Sequence, residues 1–254
     1  MKIFDWLFKK KKHCYDEFMK ACLYYKSPSV NVVERAVREC DAQPWYIYSF
    51  EDFYERKHAY LPYKWIIRNV NKSAKILEVA CGAGGMLPFL YPRGYKNLYG
   101  YDNDSKSIEA AKMINEAMKY KIHYLISDAF NPNLCFDGDK IKEKFDVIIW
   151  VNGMYHVPGY RLEYFIRNHK DYLDKNGVFI IDMVDSKYNL VENNQYRTSD
   201  WGKPVNERRE SEYYLRMSKD EIQKVLKDEK FELIFYNEID DIIPRNIAIF
   251  KRIQ

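Results

Sequence analysis

Apolar positions change their spacing near residue 70. Before it they recur at helical intervals, first as Phe18, Met19, Cys22 and Leu23, then as Val33, Ala36, Val37 and Cys40, each set gathering on one face at a helical period. "SFED" at 49–52 has the S-x-x-D form of a capping box and predicts a further helix opening there. From residue 74, short β-branched runs alternate with helical segments. The order is "KILEVA" (75–80), a helix from about Gly85, "NLYGYD" (97–102), a helix from Ser105, and "KIHYLIS" (121–127). It continues with "FDVIIWV" (145–151), a helix with Leu162, Phe165, Ile166 and Leu173 on one face, and "GVFIIDMV" (177–184). Strands apolar almost throughout belong to a parallel sheet covered by helices on both faces, so the predicted class is α/β.

After a polar stretch, "SKDE" at 218–221 is a second capping signal. The strands "FELIFYNEI" and "NIAIFKRI" follow, joined only by "DDIIPR". That link is too short for a parallel crossover and predicts an antiparallel hairpin. The change of pattern at "NVNKSAK" divides the chain into a helical cap, 1–70, and a core, 71–254, with 186–217 as an insertion.

Composition narrows the function. At 47% hydrophobic and 31% charged residues the chain can bury a substantial core. A net charge of +4, from 41 basic against 37 acidic residues, is too small and too mixed for a nucleic-acid surface. Cys14, Cys22, Cys40, Cys81 and Cys135 show no C-x-x-C spacing, which predicts reduced thiols and a cytoplasmic setting. His13, His58, His123, His156 and His169 are too dispersed for a metal-ligand motif, so no metal is expected. No apolar run reaches the roughly 18 residues of a membrane span, and no secretory signal is recognisable. "MKIFDWLFKKKK" at the start has the composition of a weak peripheral membrane contact, and equally of a helix docked on the protein's own core.

Three of the ten glycines, Gly82, Gly84 and Gly85, fall within four positions of "ILEVACGAGGML". Such a cluster predicts positive φ angles or the close approach of something to the backbone. At the end of the first strand of a parallel sheet, that something is a ligand at a helix start. A dinucleotide would require a small residue three places after Gly84, where Leu87 stands, followed by Pro88. A nicotinamide oxidoreductase is therefore the weaker alternative.

Around these residues the chain resembles the class I S-adenosylmethionine-dependent methyltransferases of small molecules, over roughly residues 60–254. "LEVACGAGG" is similar to that family's glycine loop, with Ala80 where glycine is common. The resemblance implies a Rossmann-like, seven-stranded, mostly parallel sheet ending in an antiparallel hairpin. It also implies S-adenosylmethionine as cofactor and S-adenosylhomocysteine as product. Glu78 and the backbone from Ala80 through Cys81 and Gly82 to Gly84 would hold the methionine end, Asp102 with Asn103 the ribose, and Asp128 with Ala129 the adenine. Asp102 and Asp128 have a plainer alternative role as helix caps. A cofactor-binding partner subunit without turnover would carry the same loop and acids.

Methyl transfer is an SN2 displacement that rewards alignment and gains from a base when the acceptor must lose a proton. "WVNGMYHV" after the fourth strand supplies Asn152, Tyr155 and His156 as catalytic candidates, with His156 the base or orienting group. Tyr46, Tyr54, Tyr63 and Asp182 are the expected acceptor contacts. Arg208, Arg209 and Arg216 would either meet an anionic acceptor or sit in solvent. The fourth strand's end lacks the D/N-P-P-Y sequence of enzymes acting on nucleobase amines. The expected acceptor is a small or sugar-like molecule, methylated on oxygen or nitrogen.

Overall fold

The computed structural model describes residues 28–136, 139–140 and 144–253. The helical face at Phe18–Leu23, the lysine-rich start, His13, Cys14 and Cys22 lie outside the described residues. Among the described residues three helices come first: α1 (Val30–Glu39), α2 (Trp45–Glu51) and α3 (Lys57–Asn69). Of the predicted face, Val33, Ala36 and Val37 in α1 are buried, while Cys40, just past its end, is half-buried. "SFED" does not open a helix. Pro44 leads α2 into the aromatic run, and Ser49 sits inside it with its hydroxyl donating to the Tyr46 carbonyl at 2.8 Å, a back-bond that serine makes within helices.

The core alternates strand and helix: β1 (Lys75–Val79), α4 (Leu87–Leu90), β2 (Asn97–Asp102), α5 (Ser105–Ala117), β3 (His123–Ile126). A small hairpin, β4 (Cys135–Phe136) with β5 (Asp139–Lys140), was not foreseen in the pattern. Then come β6 (Phe145–Trp150), α6 (Leu162–His169), β7 (Leu173–Val184), α7 (Lys219–Asp228), β8 (Phe231–Ile239) and β9 (Arg245–Arg252). The helix expected from Gly85 is only four residues long, because Pro92 cannot donate to a continuing helix and Gly94, at φ 98°, turns the chain away. Ser218 and Glu221 form the predicted capping box on α7.

The sheet has seven strands in the order β3-β2-β1-β6-β7-β9-β8, with β9 antiparallel to both its neighbours. The predicted terminal hairpin is therefore present, and β9 inserts between β7 and β8. Alternate residues feed two cores: Ile76 packs on one side with the N-terminal helices, Leu77 and Val79 on the other with α6 and α7. Each fully buried side chain of this size contributes about 1.5–3 kcal/mol. Strand order reverses between β1 and β6, so the crevice beyond their carboxyl ends is where this architecture takes a ligand. Among the described residues no helix is long and apolar enough to cross a membrane.

Candidate active site

The loop after β1 turns through four left-handed residues: Ala80 (φ 52°), Gly82 (φ 53°), Gly84 (φ 126°) and Gly85 (φ 57°). Part of the close approach signalled by the glycines comes from the protein's own side chains. A Cβ on Gly85 would lie 2.4 Å from Glu78 Oε1, and one on Gly82 would lie 2.3 Å from the Tyr46 ring. Glu78 is buried and accepts from the Met86 amide through both oxygens, at 3.0 and 2.8 Å, which ties the far end of the loop back to β1. Burial outweighs these bonds and pushes its carboxyl up to about 8.

Asp102 closes β2 beside this loop, its Oδ2 accepting from Gly82 N–H at 2.8 Å and its Oδ1 from Asp104 N–H at 2.9 Å. Asp104 is the residue that caps α5, so Asp102 has no capping duty and faces the crevice. Tyr46 lies over Gly82 with its hydroxyl 3.1 Å from Ser107 Oγ, on the loop side of the crevice.

Beyond β6 the chain builds a buried polar cluster. Asn152, at φ 59°, donates its amide to Asp182 Oδ1 at 2.6 Å. The Tyr155 hydroxyl lies 3.0 Å from Asp182 Oδ2 and 3.1 Å from Asn152 Oδ1. Arg245, at the start of β9, donates to Asp182 Oδ2 at 3.0 Å, to Asn152 Oδ1 at 3.2 Å, and to the Tyr155 hydroxyl. Asp182 is fully buried and Arg245 is 9% exposed. His156 occupies a 3₁₀ turn with Nδ1 3.0 Å from the Glu212 carbonyl. A carbonyl only accepts, so Nδ1 carries the proton and Nε2 presents a lone pair. Burial lowers the His156 pKa and keeps the ring neutral.

One cavity of about 770 Å³ joins the two ends. Glu78, Ala80, Cys81, Gly82, Asp102 and Asn103 line its loop side, and Asn152 and His156 its far side. Tyr155 and Asp182 lie under its floor. Gly84, Asp128 and Ala129 are not among its lining residues. Asp128 binds the Phe130 amide at 2.9 Å, and the Ala129 carbonyl accepts from Tyr160 and Asn168. Tyr54 and Tyr63 are core residues, packed edge-on against Phe53, rather than cavity walls. Tyr46 does reach the cavity, at the loop rather than at the β6 end.

Arg208, Arg209 and Arg216 are engaged within their own segment, by the Lys203 carbonyl and Asn193, by Asp200, and by Asn189 and Asn194 respectively. The guanidinium groups that line the cavity are those of Arg56, Arg197 and Arg245. Sequence reasoning passed over these three. Arg245 alone left a signal, as a cation just ahead of the buried apolar run Ile247–Phe250, while Asp182 interrupts another.

A family profile described as "Methyltransferase domain" matches residues 52–234. Ubiquinone biosynthesis O-methyltransferase of Pelagibacter ubique (strain HTCC1062) is 34% identical over 110 residues, 43% of this chain and 42% of that protein. The match thus spans well under half the length of that relative. Among solved structures, an S-adenosylmethionine-dependent methyltransferase from Clostridium acetobutylicum ATCC 824 superposes with a TM-score of 0.59, at 17% identity, over 94% of this chain and 99% of that one. Magnesium protoporphyrin IX methyltransferase from Synechocystis PCC 6803, with bound S-adenosylhomocysteine, gives 0.56 at 16% identity, over 76% and 81%. At these identities the structures speak for the fold. The profile covers well over half of the sequence, and on that ground the chain belongs to the methyltransferase-domain family.

Proposed function

We propose that this protein is an S-adenosylmethionine-dependent enzyme that methylates a small-molecule acceptor, on oxygen in preference to nitrogen, with His156 accepting the acceptor's proton. The observation that carries the reading is the single cavity in which Glu78, Gly82 and Asp102 share a wall system with Asn152 and His156.

The residues present suit S-adenosylmethionine. Asp102 spends one lone pair of each oxygen on backbone amides and keeps one for a ribose hydroxyl. Glu78 stands at the loop where the methionine ammonium belongs, and the left-handed backbone there suits its carboxylate. When bound, the cofactor supplies a sulfonium methyl as electrophile. The protein's part is then to aim the acceptor and take its proton. With Nδ1–H fixed on the Glu212 carbonyl, the His156 Nε2 lone pair is the free one, and Asn152 is held by Asp182 beside it. Arg245 fixes Tyr155 and Asn152 from beneath, a positioning role.

Of the expected cap, 1–70, the described part 28–70 acts as a cap, and 186–217 as an acceptor-side insertion, in this reading, supported by Tyr46 and Arg56 on one wall and Arg197, Glu212 and Tyr213 on another. The name of the Pelagibacter relative supports oxygen as the acceptor atom. The direct test is S-adenosylhomocysteine release across a panel of hydroxyl and amine acceptors. Turnover confined to amines would overturn the preference for oxygen, and no turnover with any member would favour a cofactor-binding partner subunit.

A further inference from the structure

Resting on that reading, we propose that the acceptor carries a carboxylate and that Arg56, between α2 and α3, is the residue that receives it. Three guanidinium groups line the cavity, and two of them have an acid: Arg245 lies 3.0 Å from Asp182 and Arg197 lies 3.5 Å from Glu212. Among the described residues Arg56 has none within ion-pair distance. Its partners are the Ser49 carbonyl at 3.5 Å and the His58 ring nitrogen Nε2 at 3.0 Å. A guanidinium cannot discharge itself by losing a proton, so a half-buried cation on a cavity wall calls for an anion. His58 cannot supply one. Arg56 only donates, so Nε2 accepts and the ring is neutral, which makes His58 a positioning residue that aims the fork. Burial, with the charges of Arg245, Arg56 and His156 added to it, holds the His58 pKa down to about 2.

The acceptor's carboxylate suits Arg56 better than the cofactor's own. Tyr155, Asp182 and Arg245, at the β6, β7 and β9 end of the cavity, and Asp52, just past α2, are among the groups whose charges act on Arg56. S-adenosylmethionine also brings two cationic groups against one carboxylate. Its arrival therefore raises the positive charge of the cavity, which an anionic acceptor lowers. Phe53 and Ala59, from the same segment as Arg56, line the cavity near it and suit an apolar body behind the carboxylate. The planar fork of arginine matches a carboxylate in two-point contact.

The test uses the full chain, with and without saturating S-adenosylhomocysteine. Calorimetry follows benzoate, phenylacetate, phenylpropionate and hexanoate, with the matching amides as neutral isosteres. The expected result is saturable binding of at least one carboxylate, at least tenfold tighter than its amide. Arg56→Gln should abolish that preference, Arg56→Lys should restore part of it, and S-adenosylhomocysteine affinity should change less than threefold. Equal binding of acid and amide, or no carboxylate binding across the series, overturns the proposal. It is also overturned if Arg56→Gln weakens S-adenosylhomocysteine tenfold but spares 5′-methylthioadenosine, which lacks the carboxylate. A retained carboxylate preference in a protein that releases no S-adenosylhomocysteine with any acceptor would strike the methyl-transfer reading, and leave Arg56 a carboxylate site whose ligand is not a methyl acceptor.

Discussion

His156 is set up for its proposed task by one hydrogen bond, since the Glu212 carbonyl at 3.0 Å decides which nitrogen carries the proton. Removing the ring with His156→Ala should lower kcat by about 10² to 10⁴ fold, the range of a general base, with little change in cofactor affinity. The base works only when neutral. Because burial lowers its pKa, with Arg245 reinforcing and Glu212 and Asp182 opposing, the acid limb of kcat/KM should fall below the ordinary histidine value of about 6.5. A limb at or above that value would exclude His156 as the base. Asp102→Ala should weaken S-adenosylmethionine binding by roughly ten- to a hundredfold, as expected for hydrogen bonds to a charged group at about 1.5–3 kcal/mol. Unchanged affinity in calorimetry would remove Asp102 from the site. Glu78 leaves a mark on stability. Its folded carboxyl sits near 8, above the unfolded value of about 4.3, so the ligand-free fold binds the proton more tightly. That contribution is complete below the unfolded pKa and is lost as pH rises through the folded one. The ligand-free Tm should therefore decline between pH 5 and 8, and Glu78→Gln should flatten the decline.

Two elements join local geometry to the site. In the glycine loop, Gly85→Ala would combine a left-handed backbone with a Cβ 2.4 Å from Glu78. A loss of about 1–3 kcal/mol is expected from strain and overpacking, read as a fall in Tm, while a neutral substitution would mean that the carboxyl moves freely. In the β7–β9 seam, Arg245→Met leaves Asp182 buried without its cation. That should cost about 3–5 kcal/mol, and Asp182→Leu in the same chain should recover part of it in denaturant unfolding. The strands around the crevice were legible because each is a short, mostly apolar run between turn-forming or helical segments. "NLYGYD" matches β2 residue for residue. The helices were less legible. The S-x-x-D of "SFED" is a weak signal inside an aromatic run that Pro44 had already started, and Pro92 set the end of α4.

For the whole molecule, the order of elements was readable and the convergence of side chains was not. The loop and Asp102 could be found because sheet topology brings the ends of adjacent parallel strands together. Arg245 and Asp182 stand 63 positions apart and meet through strand register, which composition does not encode. Tyr54 and Tyr63 share the spacing of Tyr46, but only packing decided that they enter the core while Tyr46 reaches the cavity. The place of β9, made after β8 yet lodged between it and β7, has a consequence for biosynthesis. On the ribosome, the first eight strands emerge with a gap in the sheet, and the cluster at Asp182 waits for its guanidinium. Catalytic competence should then arrive in one late step, when the ninth strand leaves the exit tunnel and fills the gap.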